Sequence, residues 1–242
     1  MRFPLQGAWL VTRPGHALTD ADIDEMWRLR HSIYAIRDEA IATDRPKFAD
    51  AARCSRSAEI RDGQGRLRGF WLARVEPIEA AGSPVLLFLP EYAFVEPGLR
   101  GSAWTGIAVF DLLVRHLVDL GTRRLWLAAI AYPTSISLIA HYLPEVYVSG
   151  DDAPPEPAAI LDWLHAGAGA AWDPARHRVR LPTCPVAPEP RTLERWQREP
   201  CVVRAIARNP EWQLGYGMGV VARLSPRAMA HLARGIWRGG RK

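Results

Sequence analysis

The sequence predicts an α/β protein with a mixed, mostly antiparallel sheet and helices on both faces. Three observations favour this class. β-rich stretches alternate with helical patterns over residues 1–149. A turn at Asp62–Gly65 inside an apolar alternation predicts an antiparallel hairpin over Glu59–Ile78. The uninterrupted apolar run Arg123–Ala131 is typical of a central strand that is covered on both faces.

Local patterns predict the first elements. Ala8–Arg13 is a short apolar strand. Thr19–Ala40 keeps a helical spacing of apolar residues and begins with residue types that cap a helix. Ser83–Pro97 is a long β-rich stretch interrupted by Pro90. Because proline cannot donate a ladder hydrogen bond, we expect this strand to bulge there or to lie at an edge.

A well-specified helix follows that strand and ends near Gly121, a residue type that favours helix C-termini. Its predicted polar face carries Asp111, Arg115 and Asp119 at a spacing of four residues. Its predicted apolar stripe consists of Ile107, Phe110, Val114 and Leu117. After the strand Arg123–Ala131 we expect a turn, a short helix and a final strand.

The amino-acid composition of the sequence changes at Gly150. The following residues are rich in Pro, Gly and Ala, with one helical pattern around Ile160–His165, and the chain ends in a basic amphipathic helix. We therefore expect a core of residues 1–149 and an extension, residues 150–242, that packs on it. A solvated helix end accounts for the basic tail, and a surface for an acidic carrier protein or a membrane is the alternative.

Composition limits the function. The formal net charge is +5, mostly from arginine, since the chain has only two lysines. This charge suits an anionic ligand such as a phosphorylated cofactor or an acidic carrier protein, but no basic stripe interleaved with aromatic residues predicts a nucleic-acid partner.

No apolar run approaches the ~20 residues of a membrane span and no secretory apolar segment begins the chain, so we expect a cytoplasmic protein. Three scattered cysteines and seven histidines without ligand spacing predict neither a disulfide framework nor a metal site.

The turn between the long strand and the next helix is the candidate anion site. Arg100–Gly106 opens a helix, whose first N–H groups and positive dipole end attract a phosphate. Ser102 can cap the helix, Gly101 lets the backbone approach a ligand, and Arg100 adds positive charge. A plain helix cap without a ligand is the alternative.

Motifs between Glu91 and Tyr147 resemble the core of the GNAT superfamily of N-acetyltransferases. Val95-Glu96-Pro97-Gly98-Leu99-Arg100-Gly101 matches the family element Val-x-Pro-x-x-Arg-Gly in full. Tyr142 lies five residues before Tyr147, as the family tyrosine lies before the Phe of Gly-Phe, and Pro90 falls where the family strand bulges. The resemblance implies a sheet splayed at two parallel strands, between which a pantetheine arm slots. More loosely, Met26–Ala40 is similar to the N-acyl amino acid synthases and autoinducer synthases of this superfamily.

The resemblance implies an acyltransferase that moves an acyl group from a thioester to an amine-type acceptor by direct attack. The donor would be acyl-CoA or acetyl-CoA, or the phosphopantetheine of an acyl carrier protein. Tyr142 is then the candidate acid that protonates the departing thiolate, and Glu91 the candidate base for the ammonium proton. The candidate donor-binding residues are Phe94, Val95, Arg100, Gly101, Ser102, Ala103, Trp104, Thr105, Gly106 and Ser135.

Each candidate also has a purely structural interpretation. Tyr142 would pack its ring in a helix and satisfy its hydroxyl group, and Glu91 would be an exposed edge carboxylate. His141 and Tyr142 are adjacent, so on a helix their side chains should point away from each other. Trp104 would line the donor cleft or block it. Ala103 and Thr105 stand where the family loop has glycines. The alternative function is therefore a catalytically inactive protein of this fold that binds a carrier protein or a small ligand.

Overall fold

The computed structural model describes residues 2–5, 7–33, 35–36, 38–99, 104–120, 124–185 and 190–239. The chain forms two compact units. Unit 1 consists of Met1–Val75, Phe88–Thr122 and Leu232–Lys242, and unit 2 consists of Glu76–Leu87 and Arg123–His231. The division into a core, residues 1–149, and an extension, residues 150–242, stays a prediction. The boundaries of the two units do not fall at residue 149.

Strands and helices alternate along the described residues. The strands are β1 Arg2–Leu5, β2 Ala8–Pro14, β3 Ala35–Ile36, β4 Arg56–Asp62, β5 Leu67–Ala80, β6 Ser83–Val95, β7 Arg124–Ala131, β8 Val146–Val148, β9 Trp172–Asp173, β10 Arg178–Arg180, β11 Thr183–Cys184 and β12 Tyr216–Arg223. The helices are α1 Asp20–Ile33, α2 Asp38–Cys54, α3 Trp104–Leu120, α4 Pro133–Tyr142, α5 Pro155–Ala168, α6 Pro190–Trp196, α7 Pro200–Arg208 and α8 Pro226–Gly239. None of these helices, in the part of the chain described, combines the length and the apolar character needed to cross a bilayer.

Unit 1 is built on strands in the order β1-β2-β4-β5-β6. β2 is antiparallel to β1 and β4, and the predicted β4–β5 hairpin with its turn at Asp62–Gly65 is confirmed. Neighbouring residues of β2 point to opposite faces of the sheet. The Thr12 hydroxyl donates to Asp111 on α3, whereas Arg13 forms an ion pair with Asp22 on α1. Helices therefore cover both faces of this unit.

The core of unit 1 lies between α1, α2 and the strands β5 and β6. Its buried members include Ile23, Met26, Leu29, Phe48, Phe70, Leu72 and Phe94. The predicted cap of the first helix is confirmed, because Thr19 Oγ1 accepts the Asp22 N–H at 3.2 Å. The Asp22 carboxylate accepts the Thr19 N–H in return, at 2.9 Å, so the two residues form a capping box that fixes the start of α1.

In unit 2 the strand order is β6-β7-β12-β10-β9, and β8 also pairs with β12. β12 is antiparallel to β7, with Met218 opposite Ala131, and to β8, with Val220 opposite Val148. A β-carbon at Gly219 would lie 3.1 Å from Leu161 of α5. The next residue, Val220, packs instead into a cluster that contains residues of α4 and α7. Helices therefore cover both faces of this unit as well.

β6 and β7 are neighbours in the strand order and are joined through α3. Parallel neighbours require a crossover of this kind. The β4–β5 and β7–β12 pairs, on either side of the β6–β7 neighbours, are antiparallel. The predicted α/β class, a mixed and mostly antiparallel sheet with helices on both faces, is confirmed.

The prediction of one helix over Thr19–Ala40 is wrong. α1 ends at Ile33, and β3 and α2 follow it. Ile33 and Ile36 are β-branched, and such residues favour extended backbone over a helix interior. A second, separate helix, α2, then begins at Asp38.

The predicted apolar stripe of α3 is wrong at Val114, which is 38% exposed. Ile107 and Phe110 are partly buried, and the side chain of Leu117 lies outside the described residues. The buried face carries Ala108, Leu112 and Leu113. α3 is apolar on most of its surface, so periodicity alone does not select the buried face. The predicted contact between Asp111 and Arg115 is confirmed at 2.7 Å.

β6 runs through Pro90 without interruption and lies between two other strands, so the edge position is wrong for it. The bulge at Pro90 stays a prediction. The strand passes from unit 2 to unit 1 between Leu87 and Phe88, shortly before this proline.

Candidate functional site

The last residues of β6 carry three of the predicted site residues in unit 1: Glu91, Phe94 and Val95. The Arg74 side chain donates from Nε to Glu91 Oε1 at 2.7 Å. The Ser55 hydroxyl donates to Glu91 Oε2 at 2.9 Å. Glu91 is therefore a positioned, partly buried carboxylate and not a solvated edge residue. Each oxygen keeps a further lone pair, because an ionised carboxylate has about four acceptor positions.

The end of β6 is held closely against β5. A β-carbon at Gly69 would lie 3.3 Å from the Phe94 carbonyl oxygen and 3.4 Å from the Val95 side chain. One residue further, the Glu96 N–H donates to the Arg68 carbonyl oxygen at 3.0 Å. The Glu96 carboxylate also pairs with the Arg68 side chain. The backbone at Phe94 and Val95 is thus fixed by its neighbour strand just before the strand ends.

The link from β6 to α3 holds the predicted anion site. A short 3-10 turn, Pro97–Leu99, follows β6. Four predicted residues, Arg100, Gly101, Ser102 and Ala103, lie outside the described residues. Trp104 and Thr105 form the start of α3, of which the backbone is described, and Gly106 is buried in the first turn.

An arginine inside an aromatic cluster supports the same end of β6. Arg30 of α1 is 1% exposed, and its guanidinium carbon lies 4.9 Å from the Trp27 ring and 5.2 Å from the Tyr92 ring. It is also within cation–π distance of the rings of Phe48 and Phe94. Burial raises the pKa of Tyr92 to about 12, so its phenol stays protonated at neutral pH. This cluster was missed, because no spacing in the sequence brings α1 and β6 together.

Unit 2 carries the other two predicted residues, Ser135 and Tyr142, on α4. The Ser135 N–H donates to the Tyr132 carbonyl oxygen at 2.9 Å, which closes the first turn of the helix. Tyr142 is the last residue of α4 and is half-buried, and burial raises the pKa of its phenol. A protonated phenol at neutral pH is what a proton donor requires.

The prediction that His141 points away from Tyr142 is wrong. Their ring centroids lie 4.9 Å apart at 77°, an edge-to-face contact that aromatic rings favour. His141 is therefore in a position to fix the orientation of the Tyr142 ring.

A serine–histidine pair also lies in unit 2. Ser149 Oγ is 2.8 Å from His165 Nε2, and the His165 ring stacks on Trp172 with the centroids 3.6 Å apart. Ser149 is fully buried and the pair has no carboxylate hydrogen-bonded to it among the described residues. Burial lowers the pKa of His165, so the ring is neutral at neutral pH. We regard the pair as structural, because a substrate cannot reach a buried serine.

Among the residues that the structure describes, no group of three or more His, Cys, Asp or Glu side chains is arranged to hold a metal ion.

Comparison with known proteins finds similar structures only. No protein-family model matches the chain, and no curated protein matches it. A conserved protein of Enterococcus faecalis V583, described as a probable N-acyltransferase, is 14% identical over 56% of this chain and 31% of its own, with a TM-score of 0.43. NAA60 of Arabidopsis thaliana, solved with a bisubstrate analogue, is 15% identical over 61% of this chain and 92% of its own, with a TM-score of 0.41. Aminoglycoside N-acetyltransferase AAC(6')-Iy, solved with CoA, is 18% identical over 57% of this chain and 88% of its own, with a TM-score of 0.39.

The matched region thus covers less than a third of the length of the Enterococcus faecalis protein. Identities and TM-scores at this level do not assign the chain to a family.

Proposed function

We propose that the chain is an acyltransferase of the GNAT type, which moves an acyl group from an acyl-CoA or acyl carrier protein thioester to an amine. The observation that carries the proposal is the link between β6 and α3. Val95-x-Pro97-x-x-Arg100-Gly101 begins where β6 ends, and α3 starts at Trp104. A helix start that follows a strand by a short link offers N–H groups and a positive dipole end to a pyrophosphate.

The donor would be held by two sets of residues. The pyrophosphate would bind at the link, and the pantetheine arm would extend along the last residues of β6. The proposed donor-binding residues are Phe94, Val95, Arg100, Gly101, Ser102, Ala103, Trp104, Thr105, Gly106 and Ser135.

The transfer would proceed by direct attack. The amine nitrogen, freed of its ammonium proton by Glu91 directly or through water, forms a bond to the thioester carbonyl carbon. The carbon–sulfur bond breaks, and the leaving thiolate takes the phenolic proton of Tyr142. The excess proton on the new amide nitrogen passes to the Tyr142 oxygen and restores the phenol. Because the amine attacks the thioester directly, no covalent enzyme intermediate forms. Backbone N–H groups near Phe94 and Val95 would polarise the carbonyl.

Two features support these roles. Ser55 and Arg74 hold the Glu91 carboxylate in one orientation and leave it free lone pairs for an ammonium group or a water. Burial raises the pKa of Tyr142, which keeps the phenol protonated until a stronger base, the nascent thiolate, arises beside it.

The second candidate is a catalytically inactive protein of this fold that binds a carrier protein or small ligand. Ala103 and Thr105 favour it, because they stand where the glycines of the family loop approach the pyrophosphate. The acyl carrier protein as donor, the cytoplasmic location and the role of residues 150–242 as an extension all belong to the proposal.

Ligand-dependent thermal stability separates the two candidates. We expect acetyl-CoA or a long-chain acyl-CoA to raise the melting temperature of the wild-type protein, since a ligand at about 100 times its Kd stabilises a native state by about 2.7 kcal/mol. Arg100→Ala should remove most of this shift, whereas Arg28→Ala, at an exposed arginine of α1, should keep it. If no CoA thioester and no acyl carrier protein stabilises the protein, the acyl-transfer proposal is wrong.

A further inference from the structure

The connection between β8 and β12 is much longer than their pairing needs. The two strands are antiparallel neighbours, with Val148 opposite Val220. Such neighbours can be joined by a two-residue turn. Here residues 149–215 form the connection, and α5, α6 and α7 lie within it. We call residues 149–215 the inserted segment.

A cleft of about 470 Å³ opens where the inserted segment meets the end of α4. One side comes from α4 and the turn into β8, and the other from the start of α7. The lining residues are Ala140, His141, Leu143, Pro144, Val146, Arg198, Glu199, Pro200, Cys201 and Arg204. We call it the α7 cleft. Its volume lies in the range of small-molecule sites. Of its lining residues only His141, which contacts the Tyr142 ring, bears on the proposed acyl transfer.

The rim of the α7 cleft is cationic. Arg198 is exposed and forms no ion pair with any residue that the structure describes. Arg204 donates from Nε and Nη2 to the two oxygens of Asp151, at 3.0 and 3.1 Å. This fork holds the Arg204 guanidinium in one orientation and leaves its Nη1 directed elsewhere.

Glu199 is the one acid among the lining residues, and its carboxylate is turned inward. Its Oε1 accepts the hydroxyl of Ser137, a residue of α4 that is 1% exposed. Its Oε2 is buried and has no hydrogen-bond partner among the described residues. The Glu199 carboxylate is therefore held against Ser137 of α4, and the exposed charged groups that line the cleft are the guanidinium groups of Arg198 and Arg204.

The floor of the α7 cleft is apolar. Leu143 is 4% exposed, and Ala140, Pro144 and Val146 continue the same wall. Cys201 is 9% exposed, and burial raises the pKa of its thiol, so it presents a neutral, weakly polar surface and not a nucleophile.

We propose that the α7 cleft binds small organic carboxylates that carry an apolar body. The carboxylate lies at the rim beside Arg198 and Arg204, and the apolar body lies on the floor. Planar guanidinium groups suit the two oxygens of a carboxylate, and an apolar floor disfavours inorganic anions that lack a body. The inference does not depend on acyl transfer.

Titration with three ligands of the same apolar body tests the proposal. The probes are 4-phenylbutyrate, its neutral amide and 4-phenylbutylamine, followed by two-dimensional NMR of the full-length protein. We expect saturable binding of the carboxylate, at least about tenfold tighter than binding of the amide or the amine. The shifted amide signals should include those of Leu143, Val146 and Cys201.

Two variants locate the binding energy. Arg198→Gln should weaken the binding of 4-phenylbutyrate about tenfold. It should leave the melting temperature of the protein unchanged, because the Arg198 side chain is exposed. Arg223→Gln, at an exposed arginine on β12, should change neither. Equal affinity for all three probes, binding that shifts amides of residues 91–96 and 104–107 instead, or no saturation up to about 5 mM would overturn the proposal.

Discussion

Arg30 illustrates what single residues contribute to unit 1. Its guanidinium is buried with Asp44 as its ion partner and aromatic rings around it. Asp44 is 5% exposed, so the pair is removed from water. A buried pair of this kind contributes less through its attraction than through the cost of leaving either charge alone.

Asp44→Asn should therefore lower the free energy of unfolding by about 3–5 kcal/mol, because it leaves the Arg30 charge buried without a counter-ion. The matched control is Asp20→Asn, which removes the partner of Arg53 from a pair that is exposed on both sides, and about 0–1 kcal/mol is expected there. Urea denaturation measures both. Equal losses in the two variants would show that burial of the Arg30 pair has no energetic consequence.

The lowered pKa of the Asp22 carboxyl makes the stability of the protein depend on pH. Hydrogen bonding to Arg13 holds the pKa of its carboxyl well below the usual range. The folded pKa lies below the unfolded value of about 3.9, so the ionised group stabilises the fold above that pH, and the contribution is lost as pH falls through the folded pKa. Between about pH 5 and pH 2, the free energy of unfolding should fall less in Asp22→Asn than in the wild type, by on the order of 1 kcal/mol. Identical pH profiles would contradict this.

Residue-level predictions from sequence succeed where the partners are local. The Thr19 cap was predictable because its partner, Asp22, is three residues away. The partners of Glu91 were not, since Ser55 lies between α2 and β4, Arg74 lies on β5, and only the folded sheet brings them to it.

Close contacts between elements determine where glycine is required. Gly15, at the end of β2, donates its N–H to the Ser55 carbonyl oxygen at 2.7 Å. A β-carbon there would lie 2.2 Å from the Ala52 carbonyl oxygen and 2.4 Å from that of Ser55. The contact atoms are backbone at the end of α2, so they cannot move aside independently.

Gly15→Ala should therefore destabilise the protein by at least about 2 kcal/mol, because α2 must shift to admit the methyl group. Gly167→Ala is the control, since nothing lies within 4 Å of its β-carbon position in α5. That change should stabilise the protein by about 0.5–1 kcal/mol through helix propensity. Thermal unfolding measures both variants, and a neutral Gly15→Ala would show that the approach is looser than described.

Elements were predictable where one pattern dominates. The β4–β5 hairpin carries a turn sequence between alternating strands, and both strands form as expected. α3 was predictable as a helix, but its buried face was not, because its apolar residues leave several faces equivalent until Thr12 pairs with Asp111.

At the scale of the whole molecule, β12 decides what can fold alone. It lies beyond residue 149, yet it pairs with β7 from Met218 opposite Ala131 to Arg223 opposite Trp126. It also supplies the partner of β8. The sequence could not predict this, because the two pairings join strands separated by the inserted segment.

A chain that ends at residue 149 should therefore fail to unfold cooperatively and should aggregate, since β7 and β8 would lose their common neighbour. The full-length protein, measured beside it, should show a cooperative transition. Circular dichroism and size-exclusion chromatography compare the two chains. A monomeric chain with a sharp transition would establish residues 1–149 as an independent core.

The central claim is that the chain transfers an acyl group from a thioester to an amine. The most direct test measures free thiol released from acyl-CoA or acyl carrier protein donors in the presence of amines, with the acylated amine quantified by mass spectrometry. Thiol and product should form in equal amounts, and kcat should fall at least about 100-fold in Tyr142→Phe but not in Tyr147→Phe. Thiol release that is independent of the amine, or that survives unchanged in Tyr142→Phe, would contradict the proposed mechanism, and no release from any donor would contradict the function.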